Sequence, residues 1–228
     1  MMDMNGKKFC FLIATNKEEF YSECMYYIGS LQVPEGYAVE CVPIRGAAGM
    51  AAAYNAAMRV TDAGYKIYMH QDVFILNRHF LFDLLTVFGM DPAIGMVGVS
   101  GIRELPQNMM LWGVPRVGSL YGSETGHADY AAYAYEPADG LTDVAALDGL
   151  LMASRVDVRW REDLFDGWDL YDISQSMEFR RRGYRLVVPE QKVPWVYHDK
   201  TVSSVWNYNK YRKIFQQEYL EEARAAEG

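Results

Sequence analysis

The chain has 228 residues, of which half are hydrophobic and 23% are charged, and its formal net charge is −8. A chain of this length fits one large domain that buries its core without crosslinks. The acidic balance argues against a general nucleic-acid binder, which needs a basic face. Cys10, Cys24 and Cys41 are widely spaced and odd in number, so we expect buried thiols in a reducing compartment rather than a zinc site or a disulfide framework.

The sequence also bears on location. No apolar signal region opens it, and no run approaches the ~18–20 apolar residues that a membrane span requires. We therefore expect a cytoplasmic protein without a transmembrane segment. Association with a membrane surface through a partner and formation of a homodimer are left open.

The first hundred residues alternate strands with helices. Apolar runs predict strands at residues 9–15, 37–44, 65–69 and 94–100, with helices between them that run from Asn16 toward Ser30, from Gly49 to Thr61 and from Asn77 to Phe88. Asn16 followed by Glu19 suits an N-cap with its capping-box partner. This alternation predicts an α/β fold with a mostly parallel central sheet flanked by helices, of the Rossmann-like kind that binds nucleotides.

The tripeptide His70-Gln71-Asp72 ends the third predicted strand. Right-handed crossovers bring the carboxyl ends of parallel strands to one edge, where open α/β sheets bind ligands, so Asn16, Arg45 and Asp72 are expected together. Alternation sends His70 and Asp72 to the same side, where a carboxylate can bind Mg²⁺ or Mn²⁺ bridging the phosphates of a nucleotide diphosphate. In a second interpretation Asp72 caps a turn and His70 is a structural histidine.

Residues 101–140 are rich in glycine, proline, tyrosine and polar residues without a sustained period, which is typical of a functional loop that closes over a ligand. Arg103 and Arg116 are candidates for a diphosphate contact, and His127 is a candidate for a catalytic role. Three tryptophans are candidates for stacking on sugar rings, with core packing as the alternative: Trp112, Trp168 and Trp195.

Regular structure is predicted to resume with a strand at 150–154, a helix at 169–182 capped by Gly183, a strand at 184–188 and a terminal helix at 201–226. No repeat or boundary divides the sequence. We therefore expect a single domain over residues 1–228, with a nucleotide-binding half at 1–100, a variable loop at 101–140 and an acceptor half at 141–228.

A second acidic segment, Phe-Asp-Gly-Trp-Asp-Leu-Tyr-Asp, spans residues 165–172. A carboxylate near a helix start that faces a cleft can accept a proton from an acceptor hydroxyl, which makes Asp172 the candidate base. The alternative is an acid that complements the helix dipole, a role that suits Asp169 better than Asp172.

Together these features resemble the family 2 glycosyltransferases of the GT-A fold, and most closely a bacterial branch whose acidic motif is His-Gln-Asp instead of Asp-x-Asp. The resemblance extends from Phe9 to His198. Residues 12–16 match the opening strand, and residues 46–55 match a small-residue helix start in which Tyr54 replaces the usual arginine. The family's base motif falls on residues 171–175, and residues 193–198 are similar to a segment that supplies a metal-ligating histidine.

The resemblance and the shared sheet edge together assign roles to ten residues. Donor binding is expected of Thr15, Asn16, Arg45, His70, Asp72 and Asp148, metal binding of Asp72 and His198, acceptor binding of Trp168 and Tyr171, and base catalysis of Asp172. By resemblance, His70 is a ribose or metal contact.

The resemblance implies an inverting transfer of a sugar from a nucleotide-diphosphate sugar, most often a UDP-sugar, to a hydroxyl of a carbohydrate or glycoconjugate, with Mn²⁺ or Mg²⁺ as cofactor. One alternative is a sugar nucleotidyltransferase, but residues 14–19 lack the glycine- and arginine-rich loop of that class. The other is a non-catalytic module that binds nucleotide sugars. Tyr171 and Ser174, where the family has acids, favour the module, whereas the retention of Asp72, Asp172 and His198 opposes it.

Overall fold

The computed structural model describes residues 4–122, 135–136, 138–199 and 207–221, and its centre is a seven-stranded sheet. The described strands are β1 (Asn5–Thr15), β2 (Ala38–Arg45), β3 (Ala63–His70), β4 (Val73–Ile75), β5 (Ile94–Gly98), β6 (Ser100–Ile102), β7 (Arg116–Gly118), β8 (Tyr121–Gly122), β9 (Tyr135–Glu136), β10 (Leu141–Asp143), β11 (Ala146–Leu147), β12 (Leu151–Ser154), β13 (Arg185–Pro189) and β14 (Val196–His198). The described helices are α1 (Glu18–Gly29), α2 (Met50–Met58), α3 (Phe80–Met90), α4 (Tyr171–Arg181) and α5 (Tyr208–Phe215), and α5 continues as a π-helical segment at Gln216–Glu221.

The central sheet has the strand order β10-β13-β5-β12-β3-β1-β2. Strands β1, β2, β3, β5 and β13 run in one direction, whereas β12 is antiparallel to both of its neighbours and β10 is antiparallel to β13. The expected α/β fold with a mostly parallel sheet flanked by helices is confirmed. The insertion of β12 between β3 and β5 brings the segment just before it against the carboxyl end of β3.

Strand β1 shows why the central strands are continuous apolar runs. Its side chains alternate between two cores, with Cys10 and Leu12 on one face of the sheet and Phe11 and Ile13 on the other, all fully buried. Helices α2, α4 and α5 cover the first face, and α1 and α3 cover the second. A strand buried on both faces needs apolar residues at every position.

The predicted shared edge is also confirmed. Thr15, the last residue of β1, is in register with Arg45, the last residue of β2, and Ala14 is in register with His70, the last residue of β3. Polar side chains therefore end three neighbouring strands at one edge of the sheet.

The variable loop contains more regular structure than the sequence indicates. Strands β6, β7 and β9 join β11 in a four-stranded sheet, and β8 joins β4 and β14 in a three-stranded sheet. These strands are two or three residues long, too short to leave a periodic signal. His127 lies outside the described residues.

Two predicted N-caps differ from the structure. Helix α1 starts after Lys17, because Asn16 uses its side chain to bind Gln71 instead of capping the helix. Helix α3 starts after His79, and Asn77 accepts a hydrogen bond from the His79 amide in the preceding turn. At the other end of α4 the C-cap is Arg182. Gly183 follows it with a φ of +80°, the left-handed conformation of a glycine that ends a helix.

The terminal helix predicted over residues 201–226 is described only from residue 207 to 221. Among the described residues, no helix combines the length and the apolar character needed to cross a membrane. Cys10, Cys24 and Cys41 are free thiols, the first two of them buried.

Candidate active site

Three side chains with metal-ligating atoms converge at the carboxyl edge of the sheet. His70 ends β3, Asp72 follows in the turn to β4, and His198 ends β14. Antiparallel pairing places His198 opposite Val73, and the backbone of Asp199 donates a 2.9 Å hydrogen bond to the carbonyl of Asp72. One ligand atom from each of the three side chains lies within 4.8 Å of the other two. We call this set the His-Asp-His triad.

The surroundings of the triad favour the forms that bind a cation. Burial lowers the pKa of His70, so its imidazole is neutral at physiological pH and offers a lone pair. Burial raises the pKa of Asp72, but the His198 and His70 imidazoles outweigh that effect and hold the pKa below its usual range. The His198 Nε2 atom lies 3.7 Å from Asp72 Oδ1. Two imidazoles and a carboxylate suit a divalent transition-metal ion better than Mg²⁺, which prefers oxygen ligands.

Tyr171, the first residue of α4, orients His70. Its hydroxyl lies 2.7 Å from His70 Nε2, and only 5% of the tyrosine is exposed. Tyr171 was expected to bind the acceptor, but its ring is buried and packs against Tyr54 and Trp160. The sequence indicated no partner for His70, because the two residues are 101 positions apart.

Asp172 follows Tyr171 in the first turn of α4. Its Oδ2 accepts a 2.9 Å hydrogen bond from the backbone amide of Gly149. A Cβ at Gly149 would overlap the Tyr171 hydroxyl and approach the Asp172 Cβ to 2.9 Å, so this close approach requires glycine. The turn before β12 and the start of α4 therefore hold each other in place.

The protonation of Asp172 is tuned by this packing. Burial, and then the neighbouring charge of Asp148, raise the pKa of Asp172 to about 6. Asp148 itself forms a 2.5 Å ion pair with Arg116 of β7 and accepts a hydrogen bond from the Leu150 amide. Burial raises the pKa of Asp148, but other effects, chiefly the charge of Arg116, outweigh burial. The pKa of Asp148 is therefore below its usual range. One carboxylate is thus kept ionised beside another whose pKa lies closer to neutrality.

Gln71 connects the triad to the loop after β1. Its Oε1 accepts hydrogen bonds from the Thr15 hydroxyl at 2.8 Å and from the backbone amides of Asn16 and Lys17, both at 3.0 Å. Its Nε2 donates to Asn16 Oδ1 at 2.7 Å. The structure therefore brings Thr15 and Asn16 next to the residue that separates His70 from Asp72. From the sequence, no role was predicted for Gln71, the middle residue of the His-Gln-Asp motif.

The remaining predicted residues make other contacts or lie in the core. Arg45 pairs with Glu18 at 3.0 Å and stacks on Tyr21. Tyr54, where the family has arginine, is fully buried against Tyr68 and Trp160.

Of the three tryptophans that were candidates for stacking on sugar rings, one is buried and two are exposed. Trp195 is buried, with an edge contact to Phe80. Trp168 and Trp112 are more than half exposed, Trp168 just before α4 and Trp112 on the ring of Tyr208.

Comparison with known proteins identifies the fold and the family. Residues 10–219 match a profile described as a glycosyltransferase-like family. The chain belongs to this family. The predicted glycosyltransferase class is thereby confirmed at the level of the family. No curated protein sequence matches the chain.

Solved structures support the GT-A-like fold at low sequence identity. TarS of S. aureus in complex with UDP is similar with a TM-score of 0.57 and 11% identity, over 91% of this chain and 64% of that one. A mannosyltransferase of Pyrobaculum calidifontis, in complex with GDP-Man and Mn²⁺, is similar with a TM-score of 0.54 and 14% identity, over 97% of this chain and 64% of that one. The catalytic domain of Drosophila β1,4-galactosyltransferase 7 with xylobiose is similar with a TM-score of 0.54 and 13% identity, over 90% of this chain and 79% of that one. The chain thus spans less than two thirds of the length of the first two.

Proposed function

We propose that this protein transfers a sugar from a nucleotide-diphosphate sugar to an acceptor hydroxyl, with inversion at the anomeric carbon and with a divalent cation at the His-Asp-His triad. One observation carries the proposal. Tyr171 binds His70 of the triad, and its neighbour Asp172 carries the carboxylate whose pKa is about 6. The residue that contacts the proposed cation site and the proposed base are therefore neighbours at the start of α4.

The triad residues fit the cation that the proposal requires. His70, Asp72 and His198 would hold it, and we favour Mn²⁺ over Mg²⁺ because two of the three ligands are imidazoles. When bound, the cation neutralises charge on the departing nucleotide diphosphate. His70 uses Nε2 for Tyr171, so Nδ1 is the nitrogen that would face the cation. The P. calidifontis neighbour contains Mn²⁺ together with GDP-Man, in agreement with this choice.

Asp172 would act as the catalytic base. A pKa of about 6 leaves the carboxylate mostly ionised near neutral pH, yet makes it a stronger base than an exposed aspartate. The Ile173 and Gly149 amides donate hydrogen bonds to the carboxylate, which would accept the proton of the acceptor hydroxyl on a remaining lone pair. The hydroxyl would then attack the anomeric carbon from the face opposite the leaving diphosphate.

The donor would lie along the edge formed by the loop after β1 and the end of β2. Thr15 and Asn16, held by Gln71, and the exposed guanidinium of Arg45 line this approach to the triad. We propose a UDP-sugar as donor, in line with the UDP complex of TarS. Asp148 would contact the donor sugar, and the exposed ring of Trp168 would contact a carbohydrate acceptor.

A thermal-shift screen of UDP- and GDP-sugars, each with and without Mn²⁺, tests the proposal. We expect at least one donor to raise the melting temperature only when Mn²⁺ is present, because a ligand that binds the native state stabilises it. Asp72→Ala should abolish that shift, whereas Asp139→Ala, which removes a carboxylate outside the triad, should retain it. A donor that stabilises Asp72→Ala and the wild type equally would contradict the proposed cation site.

A further inference from the structure

A cavity of about 380 Å³ lies beside the three-stranded sheet and has not been given a role above. Its lining includes Tyr27 of α1, Phe74 of β4, Tyr121 of β8 and Tyr197 of β14, with Glu23 and Asp199 contributing carboxylates. We call it the aromatic cavity. Its position next to α1 separates it from α4, which carries Asp172.

The strand register explains why aromatic rings meet there. Tyr197 of β14 is paired with Phe74 of β4 on one side and with Tyr121 of β8 on the other, so the three side chains stand in one row on one face of the sheet. The Phe74 and Tyr197 rings are 6.1 Å apart and inclined by 8°. Tyr27 extends the row from α1, with its ring 5.3 Å from Phe74 at 17°.

The same register turns the cavity away from the triad. His198 follows Tyr197 in β14, and neighbouring residues of a strand point to opposite faces. One face of the three-stranded sheet therefore presents His198 to the triad, and the other presents Tyr197 to the aromatic cavity. The cavity is not part of the proposed donor site, although Asp199 links the two through its hydrogen bond to the Asp72 carbonyl.

The lining fits a neutral ring that carries hydroxyl groups. Aromatic rings pack against the apolar faces of sugar rings, and carboxylates accept hydrogen bonds from sugar hydroxyls. Within the described part of the chain, no hydrogen bond or ion pair engages the carboxylates of Glu23 or Asp199, so both are available to a ligand. The carboxylates of Glu23 and Asp199 in the cavity lining would repel the negative charge of a phosphate or a nucleotide.

We propose that the aromatic cavity binds a saccharide unit of the acceptor, away from the hydroxyl that reacts. The identification of this saccharide as an acceptor rests on the proposed function, but its binding requires neither donor, cation nor turnover. The two proposals can therefore fail separately.

Saturation-transfer NMR on the metal-free protein tests the cavity. The probes are xylobiose, cellobiose, maltotriose and N,N′-diacetylchitobiose, each at millimolar concentration, and choline serves as a cationic probe. We expect at least one saccharide to bind, and Tyr27→Ala and Tyr197→Ala to weaken it by about tenfold or more, the effect of losing one aromatic contact. Glu23→Gln, on the exposed side of α1, should weaken the same saccharide with little risk to folding.

Tyr26→Ala is the matched control, because Tyr26 neighbours Tyr27 on α1, is 74% exposed and does not line the cavity. It should leave saccharide binding unchanged. The proposal is overturned if no saccharide binds, if choline alone binds, or if Tyr27→Ala, Tyr197→Ala and Glu23→Gln all bind the saccharide as the wild type does.

Discussion

At the scale of single residues, the carboxyl group of Asp172 is the most strongly perturbed acid near the triad. Its pKa of about 6 arises first from burial and then from Asp148, and hydrogen bonds from the Ile173 and Gly149 amides oppose both. The folded protein therefore holds a proton on Asp172 more tightly than the unfolded chain does. Such a group costs stability when it is ionised, which is a common property of active-site residues.

Asp172→Asn should consequently stabilise the protein at high pH. The cost of the ionised Asp172 is absent below the ordinary aspartate pKa of 3.8, grows as the pH rises and is complete above about pH 6. We expect the variant to gain roughly 1–3 kcal/mol in the free energy of unfolding at alkaline pH and nothing in acid. Urea denaturation at a series of pH values measures this difference.

Asp163→Asn is the control of opposite sign. The side-chain hydrogen bond from Arg161 lowers the pKa of Asp163, so its contribution to stability is present above the ordinary aspartate pKa and is lost as the pH falls. This variant should be less stable than the wild type at neutral pH. A gain of stability in Asp172→Asn that is equal at all pH values would show that ionisation of Asp172 is not its cause.

Tyr171→Phe should weaken binding of the cation without unfolding the protein. The hydroxyl that orients His70 is lost while the buried ring stays, and removal of a partner that orients a metal ligand typically costs about 10–100-fold in affinity. Calorimetric titration with Mn²⁺ measures the loss. Tyr219→Phe, which removes a buried hydroxyl bound to Ser174 and Glu178, should bind Mn²⁺ as the wild type does.

At the scale of elements, the site depends on contacts between chain segments far apart in sequence. Gln71 ties the loop after β1 to the turn after β3, and Gly149 lets the turn before β12 approach the start of α4. In the proposed mechanism, Gln71 and Gly149 do not themselves touch the reacting atoms. Changes in them should alter geometry more than chemistry.

Gln71→Ala should lower the affinity for the nucleotide donor while the affinity for Mn²⁺ is retained. The substitution removes the hydrogen bonds to Thr15, Asn16 and Lys17 but leaves the triad intact. We expect a loss of about tenfold, the scale of one or two hydrogen bonds. Parallel titrations with Mn²⁺ and with donor plus Mn²⁺ separate the two effects, and an equal loss in both would contradict this role.

Gly149→Ala should depress turnover strongly, because the added methyl group would displace Tyr171 and Asp172. Gly89→Ala is its matched control, since a methyl group at this position in α3 meets nothing within 4 Å. The control should be stabilised by about 0.5–1 kcal/mol, the ordinary advantage of alanine over glycine in a helix. Unchanged activity in Gly149→Ala would show that the close approach is not needed for catalysis.

The sequence predicts the elements whose signals are local and misses those whose contacts are distant. Strands β1 and β3 are apolar runs and are recognisable as such, and their ends place Thr15 and His70 at one edge. Asn16 was expected to cap α1 from its local sequence alone. Its actual partner, Gln71, is 55 positions away, so the local sequence does not indicate that contact. The pairs Tyr171–His70 and Arg116–Asp148 were missed for the same reason.

At the scale of the whole molecule, the proposed site is assembled from both halves of the chain. His70 and Asp72 come from the first hundred residues, whereas His198 and Asp172 come from residues 141–228. The two meet because β14 pairs with β4 and because Tyr171 reaches β3. The proposed transfer would therefore require the complete central sheet with α4 docked on it.

The central claim is that Asp172 is the base in a cation-dependent sugar transfer. The most direct test compares Asp172→Asn with the wild type in turnover of the UDP-sugar selected by the thermal-shift screen, with Mn²⁺ present and the donor Kd measured by calorimetry. We predict that turnover falls by about 10²–10⁴-fold, the usual contribution of a general base, while the donor Kd changes little. Equal turnover in the two proteins, or donor binding without turnover in either, would contradict the account.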